Sequence, residues 1–264
     1  KEGSNSVPTL QTDGARKGKV LHTNFGANGN TSHAKFINPL YKDALENGAT
    51  IAYWVKVPDE NLWDALFAFY NTQNGSRLYM TGNTYVGYNS MTNNNNSITW
   101  IDLNHPNGFS SGNINFGSWN FITLTISATD GIKLYVDGNY RPFQRCSGSV
   151  NSNAISGESG FDYNYIINHI RNCSNFYLGY GSFWGSTNAF YDELLFYNRV
   201  LAENEVKALY QAETVNDFTT TGILEIEQDK QSVDNKIYDL QGRPVANPTS
   251  KGMYIKNGSK YIVK

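Results

Sequence analysis

The stretch that most constrains this chain runs from Trp119 to Gly138 and reads WNFITLTISATDGIKLYVDG. Ile122, Leu124 and Ile126 alternate with Phe121, Thr123 and Thr125, the period of two that a half-buried strand requires. Ala128-Thr129-Asp130-Gly131 then supplies a turn-forming Asp and a Gly free to take positive φ. Ile132, Leu134 and Val136 resume the apolar face until Asp137-Gly138 turns the chain again. A lone two-stranded hairpin is marginal in water, so its apolar face needs something larger to pack against. The pattern therefore predicts a second sheet and a sandwich.

Two further blocks speak the same language. Thr50 to Lys56 (TIAYWVK) reads as an early core strand. Asn188 to Tyr210 (NAFYDELLFYNRVLAENEVKALY) reads as a closing strand followed by a short helix. Together with the hairpin, these blocks resemble laminin G-like domains of the concanavalin A-like lectin/glucanase superfamily, over roughly residues 15 to 213. The resemblance implies a two-sheet antiparallel jelly-roll sandwich, assigned to residues 1–215, and the composition beyond it predicts a small C-terminal β appendage over 216–264, making the chain all-β. The fold hosts lectins, hydrolases and adhesion modules alike, so function has to be argued from the site.

Beyond the three blocks, the chain reads in order as follows. Strands are predicted at Lys19–Phe25, Trp63–Tyr70, Arg77–Thr81, Tyr85–Tyr88, Ile98–Leu103 and Phe176–Tyr180, with Asn74-Gly75 as a hairpin turn. Leu40 to Asn47 suits a helical turn. Gln144 to Asn175 is long for a connection. Within it Phe161, Tyr165, Ile166, His169 and Ile170 fall at near-helical spacing, which predicts a short helix with His169 as a packing residue. A helix is expected over Ala202–Ala212, its buried stripe made by Val206, Leu209 and Tyr210, with Ala202 standing where a capping side chain would be worth ~1 kcal/mol. After Asn216 the composition changes. Thr219 to Gly222 reads as a linker, and Lys236–Leu240, Met253–Lys256 and Lys260–Val263 as strands of a small β-unit. The phrases IYDLQGRPV and KGMYIKNG, within residues 222–264, resemble C-terminal tails of secreted and surface proteins of the Bacteroidetes lineage, some of which are sorting domains.

A formal net charge of −2 gives no electrostatic case for nucleic acid as a partner. No apolar run approaches the ~20 residues of a membrane helix. No basic-then-apolar leader is present either, so a secreted chain is expected to have lost its signal segment, and the expected location is extracellular, cell-surface or periplasmic. Cys146 and Cys173 are the two cysteines. Paired, they would close the long segment; unpaired, one or both would be buried thiols, and spacing alone leaves both open.

Catalysis finds little support. Glycanases of this fold carry carboxylates in a pattern like Glu-x-Asp-x-x-Glu on one strand. The run Glu225-Ile226-Glu227-Gln228-Asp229 is similar but lies past the linker and reads as a solvated face. Asp192 and Glu193 are adjacent, so on a strand they face opposite ways. The histidines (His22, His33, His105, His169) are scattered and no nucleophile elbow accompanies them. Among metals only Ca²⁺ is weighed. The resemblance implies a Ca²⁺ ligand at Asp192, although Phe25-Gly26 replaces the relatives' Asp-Gly; otherwise Asp192 bonds the amides of a nearby turn. A pyranose needs flat aromatics beside amides and carboxylates. Phe183 and Trp184 with Asn188, and Trp63 with Asp64, are the candidates, with Trp184 as the leading sugar platform; Trp54, Trp100 and Trp119 read as structural. The expected function is a lectin-like module that binds a polysaccharide or other glycan without catalysis. The alternatives are a glycoside hydrolase and a structural domain that adheres to another surface protein.

Overall fold

The computed structural model describes residues 7–24, 33–58, 64–91, 97–104, 113–148, 162–180 and 187–218, with the short stretches 237–238, 244–246, 252–256 and 259–263. The chain divides into two compact units, Lys1–Phe218 and Thr219–Lys264. In chain order the first unit contains β1 (Thr9–Gln11), β2 (Val20–Thr23), β3 (Ala34–Ile37), β4 (Ala49–Lys56), β5 (Ala65–Tyr70), β6 (Arg77–Thr81), β7 (Val86–Met91) and β8 (Ser97–Asn104). It continues with β9 (Trp119–Ser127), β10 (Gly131–Val136), β11 (Asn139–Arg141), β12 (Gln144–Gly148), α1 (Asn164–Asn172), β13 (Asn175–Leu178), β14 (Ala189–Tyr197) and α2 (Glu203–Phe218). The second unit contains β15 (Ile237–Tyr238), β16 (Pro244–Val245), β17 (Gly252–Lys256) and β18 (Ser259–Val263), hydrogen-bonded in the order β16-β15-β17-β18.

Two seven-stranded antiparallel sheets make the sandwich. The first runs β1-β2-β14-β4-β9-β10-β11 and the second β12-β8-β7-β6-β5-β13-β3. The central hairpin is the expected one: Ile122, Leu124 and Ile126 pair with Val136, Leu134 and Ile132, and all six face the main core. The core is filled by alternate residues of both sheets, including Ile51, Tyr53 and Val55 of β4 and Phe67 and Phe69 of β5. Phe67, Phe69 and Phe176 pack ring against ring there, with centroids 4.9 to 6.4 Å apart. α1 turns Ile166, Ile167 and Ile170 into the same core.

β4 reads apolar on both faces because both are covered. Its other face, Ala52 and Trp54, packs with Phe121, and Leu209 and Tyr210 of α2 close over them. Val206 of α2 is buried with Leu201 and Tyr135. The missing cap at Ala202 is made good by Glu205, whose carboxylate accepts from the Ala202 amide at 2.8 Å, the return half of a capping box. Arg199 holds that carboxylate from the other side at 2.8 and 2.9 Å, and this hydrogen bond first, with the amide, holds the carboxyl well down, at about 2.

Several expectations shift. Leu40–Asn47 forms turns and no helix. The long 144–175 segment begins with a strand, β12, and the helix inside it starts only at Asn164; Phe161 lies outside the described residues. Cys173 is a free, buried thiol that donates to the Asn175 carbonyl at 3.2 Å, and burial pushes its pKa up. The bridge to Cys146 is not formed, and the sheet order explains why. Cys146 lies on edge strand β12, five strand steps from β13, which begins two residues after Cys173. At about 4.8 Å per step that is ~24 Å, far beyond the ~7 Å that a disulfide spans.

Candidate functional site

Strand register lines up one row of outward-facing side chains across the first sheet. His22 lies opposite both Thr9 and Phe190, Phe190 opposite Lys56, and Lys56 opposite Trp119. Their chain neighbours Tyr191 and Val55 face the core, so by the alternation of strands this row faces away from it. His22 stacks on Phe190 with ring centroids 4.2 Å apart and 11° between planes. Gln11 Nε2, an obligate donor, lies 2.9 Å from His22 Nδ1, which must therefore accept. The ring proton is left on Nε2, which donates to Asn188 Oδ1 at 2.9 Å. Asn188 thus shows its Nδ2 donors, unpartnered among the described residues, to the space beside it.

That space is an open pocket of about 460 Å³ lined by His22, Asn24, Lys56, Pro58, Gly117, Asn188 and Phe190. Lys56 arches over Phe190 with its Nζ 4.7 Å from the ring centroid and donates to Asp13 Oδ2. Burial alone would raise the Asp13 pKa. The hydrogen bonds from Lys56, the Ala15 amide and Trp119 Nε1 outweigh it and leave the carboxyl below its usual range. Lys56 thus brings a positive end to the pocket already matched by a carboxylate. With both His22 nitrogens bonded and Phe190 stacked under His22, the Asn188 amide is the polar group this row leaves toward the pocket.

Next to this row Arg16 is almost fully buried. Its guanidinium carbon sits 4.4 Å from the Trp54 ring centroid and 5.4 Å from that of Trp119, and its Nε donates to Asp192 Oδ2 at 2.9 Å. Asp192 Oδ1 accepts from the Glu193 amide at 3.1 Å, at a β-bulge where Glu193 takes φ 46°. The carboxylate named as a Ca²⁺ ligand therefore already faces a guanidinium. Among the described residues no three His, Cys, Asp or Glu side chains gather as a metal site would require.

Of the sequence-derived candidates, Asn188 lies in the pocket. Asp64 does not. It sits just before β5 of the second sheet, 7% exposed, with Oδ2 making no hydrogen bond, and burial raises its pKa to about 6. Phe183, Trp184 and Trp63 lie outside the described residues, as does the Glu225–Asp229 run. Trp54 is buried under α2 and Trp119 is half-buried beside Asp13. His169 packs edge-on to Tyr88 and donates to the Phe69 carbonyl at 2.8 Å. Gln11, His22, Lys56 and Phe190 were not anticipated. Alternation within β2 and β14 marks His22 and Phe190 as outward residues, but their meeting depends on a pairing across more than 160 positions.

The two antiparallel sheets make a jelly-roll β-sandwich, a fold that serves binding modules and enzymes alike. Residues 28–207 match a laminin G-like family model described as the Concanavalin A-like lectin/glucanases superfamily, and the chain belongs to that superfamily. No curated protein matches its sequence. Among solved structures, a mutant of HCR D/C VPI 5995 is 12% identical with a TM-score of 0.50, covering 91% of this chain and 50% of that one. The Botulinum Neurotoxin serotype G binding domain is 14% identical with a TM-score of 0.47, covering 81% of this chain and 46% of its own. The binding domain of Botulinum neurotoxin DC in complex with rat synaptotagmin II is 11% identical with a TM-score of 0.47, covering 91% and 49%. The chain spans about half the length of these solved chains, and at such identities the likeness shows the fold alone. No helix among the described residues is long and apolar enough to cross a membrane.

Proposed function

We propose that this protein is a non-catalytic carbohydrate-binding module that works outside the cell and holds a glycan in the pocket formed by His22, Asn188 and Phe190. The observation that carries the reading is the Gln11–His22–Asn188 chain of hydrogen bonds, which fixes an imidazole and an amide at the mouth of the pocket before any ligand arrives. Preorganised donors of this kind lose little entropy on binding, and amides match the paired donor and acceptor of a sugar hydroxyl. The pocket volume is that of an ordinary small-ligand site. Asp13, the carboxylate that Lys56 meets beside the pocket, is held by Lys56, Trp119 and Ala15, an arrangement suited to scaffolding rather than acid–base work. Membership of a laminin G-like family and the resemblance of residues 222–264 to exported tails support an extracellular or surface location.

The test is a glycan array read with the full chain and with Asn188→Ala, combined with an assay for released reducing sugar on every hit. Binding without release, weakened about tenfold or more by Asn188→Ala at unchanged melting temperature, is the expected result. Sugar release would move the protein to the hydrolases. A silent array would favour a protein-adhesion role.

A further inference from the structure

The second sheet carries a different polar recess, of about 170 Å³, where the β5–β6 turn meets the junction of α1 and β13. Its wall includes Tyr41, Tyr70, Asn71, Gln73, Asn172 and Asn175. We propose that this recess is a second saccharide site, one that takes a single neutral pyranose-sized unit, independent of the pocket on the first sheet.

The frame around the recess is rigid on both sides. Asn71 pins the turn three times: its amide donates to the Ser76 carbonyl, its carbonyl accepts from Gly75, and its Oδ1 accepts from the Gln73 amide at 2.9 Å. Gly75 takes the φ of 80° that this turn needs, and Asn74 Oδ1 holds the Ser76 amide. Opposite, buried Asn38 donates through Nδ2 to the carbonyls of Ile170 and Cys173 and accepts from Leu40 through Oδ1, tying the end of α1 to the loop that bears Tyr41. Between these anchored walls stand polar groups with no hydrogen-bond partner among the described residues: the hydroxyls of Tyr41 and Tyr70, the side-chain amide of Gln73 and Asn71 Nδ2. The residues that bear them line a space far smaller than a drug-sized site, which limits the ligand to about one ring.

The chemistry selects for charge as well as size. Among the described residues no carboxylate or guanidinium lines the recess, burial keeps the Cys173 thiol in its neutral form, and the Lys42 ammonium at its edge already donates to Asn172 Oδ1 at 3.5 Å and lies 4.9 Å from the Tyr41 ring centroid. Side-chain amides and phenols, each donor and acceptor at once, suit vicinal hydroxyls rather than a formal charge. Tyr70 also belongs to a ring cluster with Tyr177 at 6.2 Å and Tyr180 at 5.9 Å, on which His33 stacks at 4.8 Å from Tyr180. Tyr177 alternates with core residues Phe176 and Leu178, so this ring cluster, in which Tyr177 is buried, backs Tyr70 on the outward side of the sheet.

The test is a residue-resolved NMR titration of the full chain with glucose, galactose, mannose and N-acetylglucosamine, with glucuronate as the charged comparison. At least one neutral sugar should shift the signals of residues 70–75 and 172–175. The double variant Tyr70→Phe/Gln73→Ala, which keeps the ring that packs against Ala68, Tyr79 and Tyr85, should weaken those shifts about tenfold or more. Asn188→Ala should leave them unchanged. Shifts confined to the His22–Asn188 pocket would overturn this second site while supporting the first. Silence at 70–75 and 172–175, shifts undiminished in the double variant, or a preference for glucuronate would also overturn it.

Discussion

Asp64 and His169 titrate in the same pH window with opposite effects on stability. Burial lifts the Asp64 carboxyl from 3.8 to about 6. Between those values the folded protein keeps a proton that the unfolded chain has released, so Asp64 stabilises the fold in acid and that contribution is lost as pH rises through about 6. His169 runs the other way, because desolvation against β5 lowers its imidazole from 6.5 to about 4. Its contribution is complete above 6.5 and is lost as pH falls toward 4. The two slopes oppose each other, and Asp64→Asn removes one of them. Denaturant unfolding across pH ~4–7 should show the variant losing stability on acidification more steeply than the wild type. Near neutrality it should be more stable by about 1–3 kcal/mol, because a carboxylate with a bare buried Oδ2 is gone. Parallel pH profiles for the two proteins would refute the assignment to Asp64.

Turns decide whether the elements can close on each other. Gly138 has φ 73°, and a Cβ there would lie 3.2 Å from the Tyr210 ring and 3.4 Å from the Lys207 backbone of α2. Gly138→Ala therefore meets two costs, left-handed backbone and displacement of the helix, together about 2–4 kcal/mol. Gly18, with φ 78° and nothing within 4 Å, meets only the first, about 1–2 kcal/mol. Equal losses of melting temperature in the two variants would show that α2 yields freely. The Asp-Gly turn at Asp137-Gly138 was legible in the sequence because a hairpin is written in consecutive residues, and so were β4, β9, β10 and β14. β1, β3 and β12 were not, since short edge strands carry little periodicity and acquire their identity from the strand beside them. The site failed for the same reason. Asn188 stood out by composition, whereas His22, Gln11 and Phe190 become a group only once β1, β2 and β14 are adjacent. The two cysteines stayed open between paired and free because spacing along the chain says nothing of the strands laid between its ends, and Cys173 is free.

At the scale of the molecule, α2 is the piece that makes the first unit complete. Among the described residues, every buried apolar cluster is drawn from residues no later than Tyr210. α2 supplies Val206, which is fully buried, and lays Leu209 and Tyr210 over Ala52, Trp54 and Phe121, while Leu201 just before it is buried as well. At about 1.5–3 kcal/mol per buried large apolar side chain, Leu201, Val206, Leu209 and Tyr210 contribute on the order of 5–10 kcal/mol, comparable with the whole net stability of a domain. Residues beyond Phe218 belong to a separate compact unit. Two truncations should therefore behave in opposite ways. A chain ending at Phe218 should unfold cooperatively within a few degrees of the full chain and retain whatever glycan binding Asn188 supports. A chain ending at Tyr197 keeps every strand of both sheets yet should fail to fold, or should collect in aggregates through the uncovered Trp54 and Phe121 face. Scanning calorimetry of the three proteins decides the matter. A large loss in the Phe218 truncation would mean that the sandwich depends on the C-terminal unit, and a stable Tyr197 truncation would mean that α2 is an ornament on a sandwich that closes without it.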